Sequence, residues 1–497
     1  MTGFLVTATP PTPNGDLHVG HVAGPYLGAD VFTRAQRMLG HTVKYVSGVD
    51  DHQTYVVTTA QGLGREPGEF AAHCGADIRE TLRVAGIDMD VLRTPDAAYR
   101  ADVAGFFAEL YDKGALARRE WVFRYEPDTG RHRLEAFAPG YCRTCLATVC
   151  GTVCELCGHP GGPGPLYGED GTVARTVPIL VLPLEDYRER FVRFYTDRRD
   201  TVRPHVLRFV TEMLSRPLPD FPITYPADWG IPVTLDGYGG QVFNAWAEML
   251  PGLVRSATDV WRAGSGYELV QFLGYDNTFY FSLAHLALTF AHGGLILPTA
   301  IVTNEFYHLD GAKFSTSRRH VIGARDLVVR HGADDARFYL ALTNPELQTS
   351  DFSDAQFRHT VRTRLHDPLN AIAAALEPLS GRPVPGTAYP LLDGYRDRMR
   401  QAYSLPDFSI RRAAETTANL LALLAERTCA EPALGVHGLR AIAVWAAPLV
   451  PELAARIAAQ YADPHTVPST TAIRGEAHRP HIRSEHHDTR RHCAEER

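Results

Sequence analysis

The spacing of apolar positions changes twice within the opening stretch of the chain. Phe4-Leu-Val-Thr-Ala8 is a short apolar run that reads as a strand, and Thr9 to Gly15 is a turn of proline, asparagine and glycine. Helical spacing then runs over 16–39, and Val43-Lys-Tyr-Val46 is a second strand, so the pattern predicts a β-turn-α-β unit. Helices are expected over 70–85 and 99–113, the second stopped by Gly114. Over 115–225 strand-like pieces such as 120–125 alternate with Gly/Pro turns, which reads as an insertion. Leu269-Val-Gln-Phe-Leu273 is a continuous apolar run of the kind buried in a parallel sheet, and 298–307 continues that sheet. Beyond Ile322 the spacing is helical over 324–330, 334–343 and 352–376. After a Pro/Gly linker at 380–386, helices over 393–403, 409–429 and 436–461 can form a small bundle. The His/Arg/Glu-rich tail, 464–497, is expected to be disordered.

Composition narrows the class. A chain of 497 residues suggests several domains, and 45% hydrophobic with 22% charged residues is ordinary for a globular protein. No run approaches the ~20 apolar residues needed to span a bilayer, and the start lacks the pattern of a signal peptide. The expected compartment is the cytoplasm, with no membrane partner. The net charge of −7 argues against nonspecific nucleic-acid binding but leaves room for local basic patches. Lysine occurs only at Lys44, Lys113 and Lys313, against arginine for nearly all of the 50 basic residues, so each lysine is a candidate for chemistry that wants a compact charge.

Four groups of residues carry candidate chemistry. His18 and His21 sit one turn apart at a helix start, where unpaired N–H groups and partial positive charge suit phosphate, and Gly20 between them admits a close ligand. Five of the eight cysteines lie between Cys142 and Cys157. Cys142-x-x-Cys145 and Cys154-x-x-Cys157 supply four thiolates for a tetrahedral Zn²⁺ in a closed, structural site, and Cys150 could substitute for one of them. Gly274-Tyr-Asp276 places a carboxylate at the end of a buried strand, where an acid holds a ribose hydroxyl or caps the following helix. Lys313-Phe-Ser-Thr-Ser317, followed by Arg318, offers one ammonium, several hydroxyls and a guanidinium in a loop suited to polyphosphate.

Together these residues resemble the class I aminoacyl-tRNA synthetases, and more narrowly the methionyl-tRNA synthetase family. His18-Val-Gly-His21 matches that family's HIGH signature and Lys313-Phe-Ser-Thr-Ser317 its KMSKS signature. They stand on either side of a knuckle-bearing insertion, and the likeness covers about 4–375. Asp228-Trp-Gly-Ile-Pro232, the Trp246 segment and Gly274-Tyr-Asp276 are also similar. The resemblance implies an α/β fold: a Rossmann-type parallel sheet split by a zinc-knuckle insertion and followed by an α-helical bundle. The implied divisions are catalytic halves at 1–114 and 226–330, the insertion at 115–225, a stem-contact region at 331–378, an anticodon-binding-like bundle at 387–463 and the tail at 464–497.

It further implies an ATP-dependent ligase that makes an aminoacyl adenylate and passes the acyl group to tRNA, with Mg²⁺ at the phosphates. His18, His21 and Lys313 would be catalytic. Pro11, Asn14, Gly15, Gly20, Gly274, Asp276, Ser315, Thr316 and Ser317 would bind ATP. Asp50, with Asp51 as the alternative, would hold the amino acid's ammonium group, and Thr12, Trp246, Leu253 and Phe281 would line the side-chain pocket. The chain departs from the family at three of these, with Thr12 and Leu253 at positions of tyrosines and Phe281 at that of a histidine. Thr316 replaces the second lysine of KMSKS. Of the family's anticodon-reading residues Asn370 is a candidate for the asparagine, no tryptophan stands at the expected place near 428–431, and Trp445 falls beyond it. Methionine is the family's default substrate. A paralogue that activates another amino acid, or acylates a non-tRNA amine, is the alternative, and a non-catalytic RNA-binding scaffold is a third. The oligomeric state stays open.

Overall fold

The computed structural model describes residues 3–154, 156–161, 171–314, 321–461, 466–470 and 473. Its centre is an all-parallel sheet of strands β1 (Gly3–Ala8), β2 (Thr42–Gly48), β3 (Val91–Arg93), β4 (Tyr267–Gly274) and β5 (Pro298–Asn304), in the spatial order β5-β4-β1-β2-β3. β1 is central, with Gly3 opposite both Thr42 and Tyr267, so every connection at its carboxyl end borders the other half of the chain. Apart from Gly3 at its entry, β1 is buried on both faces, as its unbroken apolar run requires. The segment predicted as strand to residue 307 leaves this sheet at Asn304; Tyr307–Leu309 pairs instead with Ala312–Lys313 and Ser350–Phe352.

The helix expected over 16–39 runs from Val19 to Met38 and is broken in the middle. Gly24 has non-helical torsions (φ −76°, ψ −124°) and Pro25 lacks the N–H needed to continue the ladder. The insertion forms an antiparallel sheet around Ala117–Glu126 and Val173–Pro183, followed by helices Arg188–Asp197 and Pro204–Leu214. No described helix is long and apolar enough to cross a membrane.

The carboxyl-terminal helices pack on one another as expected, and they also pack onto the sheet domain. Helices Pro390–Tyr403, Ile410–Arg427, Pro432–Trp445 and Pro451–Ala459 share one continuous hydrophobic core with β1 and with helix Leu27–Met38. The single helix expected over 436–461 is split because Pro448 and Pro451 cannot donate backbone hydrogen bonds. The expectation of disorder from residue 464 fails over 466–470 and at Ile473. Thr466 pairs with Pro383, the Thr470 hydroxyl donates to the Ala373 carbonyl (3.0 Å), and Val467 and Ile473 are buried in the core. The rest of the tail lies outside the described residues.

One ion pair ties these layers together. Arg337 and Asp30, each 1% exposed, meet at 2.6 Å. The same guanidinium donates to the carbonyls of Gly86 (3.0 Å), Pro448 (2.8 Å) and Leu449 (3.0 Å), so its donors are spent on three separate segments. Removing one partner of such a buried pair strands the other charge. Arg337→Leu is expected to lower the unfolding free energy by about 3–5 kcal/mol. The Asp30→Leu/Arg337→Leu double variant should lose less than the two single losses combined. Denaturant unfolding followed by circular dichroism tests both, and additive losses would show that the pair is not a unit.

Candidate functional site

A cavity of about 330 Å³ opens at the carboxyl ends of β1 and β4. Its phosphate-like end is built by the turn after β1. His18 has extended torsions and caps the following helix: its Nδ1 accepts from the Gly20 N–H (3.1 Å), and its own N–H donates to Nδ1 of His21 (3.2 Å). Both Nδ1 atoms are therefore acceptors, which places the proton of each neutral ring on Nε2 and makes each a donor. The two rings stack at 3.8 Å, and Phe314 stacks on the outer face of His18 at 4.5 Å with the planes 10° apart. A Cβ on Gly20 would lie 3.0 Å from the His18 ring and 3.2 Å from Phe314, so a larger residue there would press on both stacked rings.

The stack also links the two halves of the chain. Beyond the segment that follows Phe314, the Val19 N–H donates to the Ile322 carbonyl (3.1 Å) and the Ala324 N–H to the Leu17 carbonyl (3.0 Å). Both flanks of the lysine-bearing loop thus dock on the histidine turn. Ser315, Thr316, Ser317 and the side chain of Lys313 lie outside the described residues. The two other lysines serve structure: Lys44 pairs with Asp259 and Lys113 with Glu109.

Of the residues predicted from sequence, Pro11, Thr12, Asn14 and Gly20 line the cavity together with His18 and His21, and so do Trp246, Gly274 and Asp276. A Cβ on Gly274 would come within 2.6 Å of the Asp276 carboxylate, which explains the glycine there. Gly15, Asp50, Leu253 and Phe281 are not among the described lining residues. Leu253 (2% exposed) and Phe281 (1%) are packed behind the wall. Phe281 meets His285 one turn on, and Nε2 of His285 contacts the Trp246 carbonyl at 2.7 Å. Burial pushes the His285 pKa down to about 4, so the ring is a neutral structural donor to that carbonyl.

Asp50 is 4% exposed, and the Gln53 side chain lies against its carboxylate. Burial, and then the nearby Glu248 carboxylate, push its pKa well above the usual carboxylate range. Glu248 itself contacts His52 at 2.7 Å and accepts from the Tyr99 hydroxyl at 3.3 Å. Burial opposes charge on His52, but the Glu248 carboxylate outweighs it and holds the His52 pKa above its ordinary value.

The other end of the cavity contains residues that sequence reasoning did not single out. Trp246 and Tyr280 stack face to face at 3.9 Å, 3° from parallel. Opposite them the insertion contributes Gly151, Thr152, Val153 and Glu135. The Thr152 hydroxyl lies 2.9 Å from that of Tyr280 and 3.5 Å from the Glu135 carboxylate, and Trp246 hydrogen-bonds Glu135. Glu135 has φ +42°, a left-handed conformation unusual for a side chain of this type, and the next residue's N–H is held by the Thr54 hydroxyl at 3.0 Å. Burial pushes its carboxyl up to about 7. No local pattern marks Glu135, because its role arises from the insertion folding back across the sheet; Tyr280 follows the Gly274–Asp276 segment closely enough to have been a candidate.

The knuckle is formed as expected. The sulfurs of Cys142, Cys145, Cys154 and Cys157 all lie within 4.8 Å of one another, with Cys142–Cys157 and Cys145–Cys154 both at 3.6 Å. Zn–S bonds of about 2.3 Å in a tetrahedron set sulfurs about 3.8 Å apart, so the donors fit zinc. The side chain of Cys150 lies outside the described residues.

Comparison with known proteins agrees with this geometry. The family model described as tRNA synthetases class I (M) matches residues 4–375. The chain is 30% identical to methionine--tRNA ligase of Thermoplasma acidophilum over 384 residues, 73% of this chain and 70% of that one. It is 30% identical to methionine--tRNA ligase of Thermobifida fusca over 390 residues, 71% of this chain and 64% of that one. Its fold matches Mycobacterium tuberculosis methionyl-tRNA synthetase in complex with methionyl-adenylate, with a TM-score of 0.76 at 19% identity over 93% of this chain and 94% of that chain.

The cysteine geometry makes a direct prediction. Metal analysis of the purified chain should find a single zinc per molecule, lost in Cys154→Ser. A folded wild-type chain without metal would remove the assignment.

Proposed function

The chain belongs to the class I tRNA synthetases (M), and from that premise we propose that it is a methionine--tRNA ligase that works in two steps in the cavity described above. In the first, a carboxylate oxygen of methionine attacks the α-phosphorus of ATP. A new C–O–P linkage forms, the bond to the bridging oxygen breaks, and pyrophosphate leaves. In the second, a terminal ribose hydroxyl of tRNA attacks the acyl carbon and AMP departs. Neither step needs a protein nucleophile, so the task of the protein is to position reactants and stabilise charge.

The observation that carries this reading is the meeting of the histidine turn, Gly274–Asp276 and Trp246 around one cavity. His18 and His21 donate from Nε2 to the phosphates, with the backbone of Pro11, Asn14, Gly15 and Gly20 beside them. Asp276 takes the ribose. Lys313, with Ser315, Thr316 and Ser317, stabilises the departing pyrophosphate, to which Mg²⁺ supplies further charge when bound. Thr12 and Trp246 wall the side-chain pocket, Leu253 and Phe281 support it from behind, and Asp50 supplies negative charge near the ammonium group. Zinc holds the knuckle that closes the cavity. The methionyl-adenylate named for the Mycobacterium tuberculosis structures supports the choice of methionine.

A second reading, a paralogue for another amino acid or a non-tRNA amine acceptor, draws on Thr12, a small polar residue in the cavity wall. A few such changes can redirect a pocket, because small apolar side chains differ by only about 1–3 kcal/mol per methylene.

Methionine-dependent ATP–pyrophosphate exchange and acylation of tRNA are the expected outcomes. Exchange with a different amino acid, or exchange without tRNA acylation, would favour the second reading. Lys313→Ala should reduce exchange by about 10²–10³-fold with an unchanged circular dichroism spectrum. Near-normal exchange in that variant would take the loop out of the chemistry.

A further inference from the structure

We propose that Arg325, Thr81 and Asp16 form a clasp outside the cavity that positions His18 and His21 for the phosphates of ATP. Arg325 and Thr81 are then positioning residues, and the inference rests on the ATP-binding part of the reading above.

The turn between β1 and His18 is poor in backbone donors, because Pro10, Pro11 and Pro13 have no N–H. Its end is held from outside, and Asp16 is the pivot. Oδ1 of Asp16 accepts from the Leu17 N–H (2.7 Å), which fixes the peptide leading into His18. The Leu17 carbonyl accepts from the Ala324 N–H (3.0 Å), so the residue before Arg325 is tied to the residue after Asp16. His18 pairs with Gly323 across the same junction.

Two helices meet at this point. Thr81, on helix Pro67–Val84, is fully buried, and its hydroxyl lies 2.7 Å and 2.8 Å from the two carboxylate oxygens of Asp16. Nε of Arg325, on helix Ala324–His331, donates to that hydroxyl at 3.0 Å. A hydroxyl has one hydrogen, so with Arg325 as its donor Thr81 turns that hydrogen toward Asp16. Nη2 of Arg325 reaches the Asp16 carboxylate (3.0 Å) and, one turn before Thr81, the carbonyl (2.6 Å) and carboxylate (3.1 Å) of Asp77. One guanidinium thereby grips a helix at two successive turns together with the carboxylate that precedes the histidine turn.

The buried hydroxyl distinguishes this arrangement from an ordinary surface pair. Asp16 and Arg325 keep 32% and 31% of their side-chain surface exposed, and an ion pair so placed contributes little alone. Burial pushes the Asp16 carboxyl up, and the foremost group opposing it is the Thr81 hydroxyl, ahead of the Leu17 N–H and Arg325. The ring positions depend on the clasp, because the bonds of the His18 N–H and of His18 Nδ1 that orient both histidines begin at the peptide after Leu17. Asp16, Thr81 and Arg325 are not among the described lining residues, so they act on ATP through the histidines.

The test reads ATP and methionine binding separately, by calorimetry, on the wild-type chain, Arg325→Met, Arg325→Lys and Thr81→Val. Arg325→Met keeps the stem and loses the fork, while Thr81→Val keeps the shape and loses the hydroxyl. Each is expected to weaken ATP by about 10-fold, the scale of one hydrogen bond to a charged group, and to leave methionine unchanged. The Arg325→Met/Thr81→Val double variant should lose no more than the larger single loss, and Arg325→Lys should recover part of the ATP affinity. Unchanged ATP binding in both single variants overturns the proposal. So do additive losses in the double variant, and so does an equal loss of ATP and methionine, the mark of a purely structural role. A wild-type chain that binds ATP but exchanges with no amino acid would sink the activation reading while this comparison still decides the clasp. A wild-type chain that binds no ATP overturns both.

Discussion

The site depends on the parallel pairing of β1 with β4. Ala8 stands opposite Phe272, and the Thr9 N–H donates to the Phe272 carbonyl, so the turn that leads to His18 starts beside the one that carries Asp276. Parallel neighbours cannot be joined by a tight turn, and here the connection contains β2, β3 and the whole insertion. The insertion is therefore positioned by the same pairing: its ends return to the sheet, and its knuckle and Glu135 lie over the carboxyl edge. The cavity has three contributors that adjoin only because this one pair of strands is in register.

The Arg337–Asp30 pair extends the constraint to the carboxyl-terminal helices. Because one guanidinium also serves the carbonyls of Gly86, Pro448 and Leu449, the helix that follows the histidine turn cannot shift without disturbing the final helices. Gln36 adds a second tie by donating to the Tyr403 carbonyl at 2.7 Å. The helical half thus acts as a buttress for the phosphate end of the cavity, and the continuous core follows from this shared packing.

The two ends of the cavity present different polar groups. The histidine end offers ring N–H donors beside the carboxylates of Asp276 and Glu305, while the end formed by Trp246, Tyr280 and the insertion has Glu135 in its wall. Preorganised groups of this kind stabilise developing charge without having to move.

The local patterns were sufficient where the physics is local. The unbroken apolar run 269–273 is a buried strand, the paired CxxC turns converge, and the histidine turn lines the cavity. Helix ends were less legible: Gly24 and Pro25 break one predicted helix, and Pro448 and Pro451 divide another. What only the tertiary structure decided is which side chains face the cavity. Leu253 and Phe281 align with pocket positions yet pack behind the wall, and Asp50 is buried beside Glu248. Glu135, with no motif around it and itself buried, lines the cavity because the insertion folds back over the sheet. Burial is a property of the whole packing arrangement, so sequence patterns nominated candidate groups while three-dimensional packing decided which of them line the cavity.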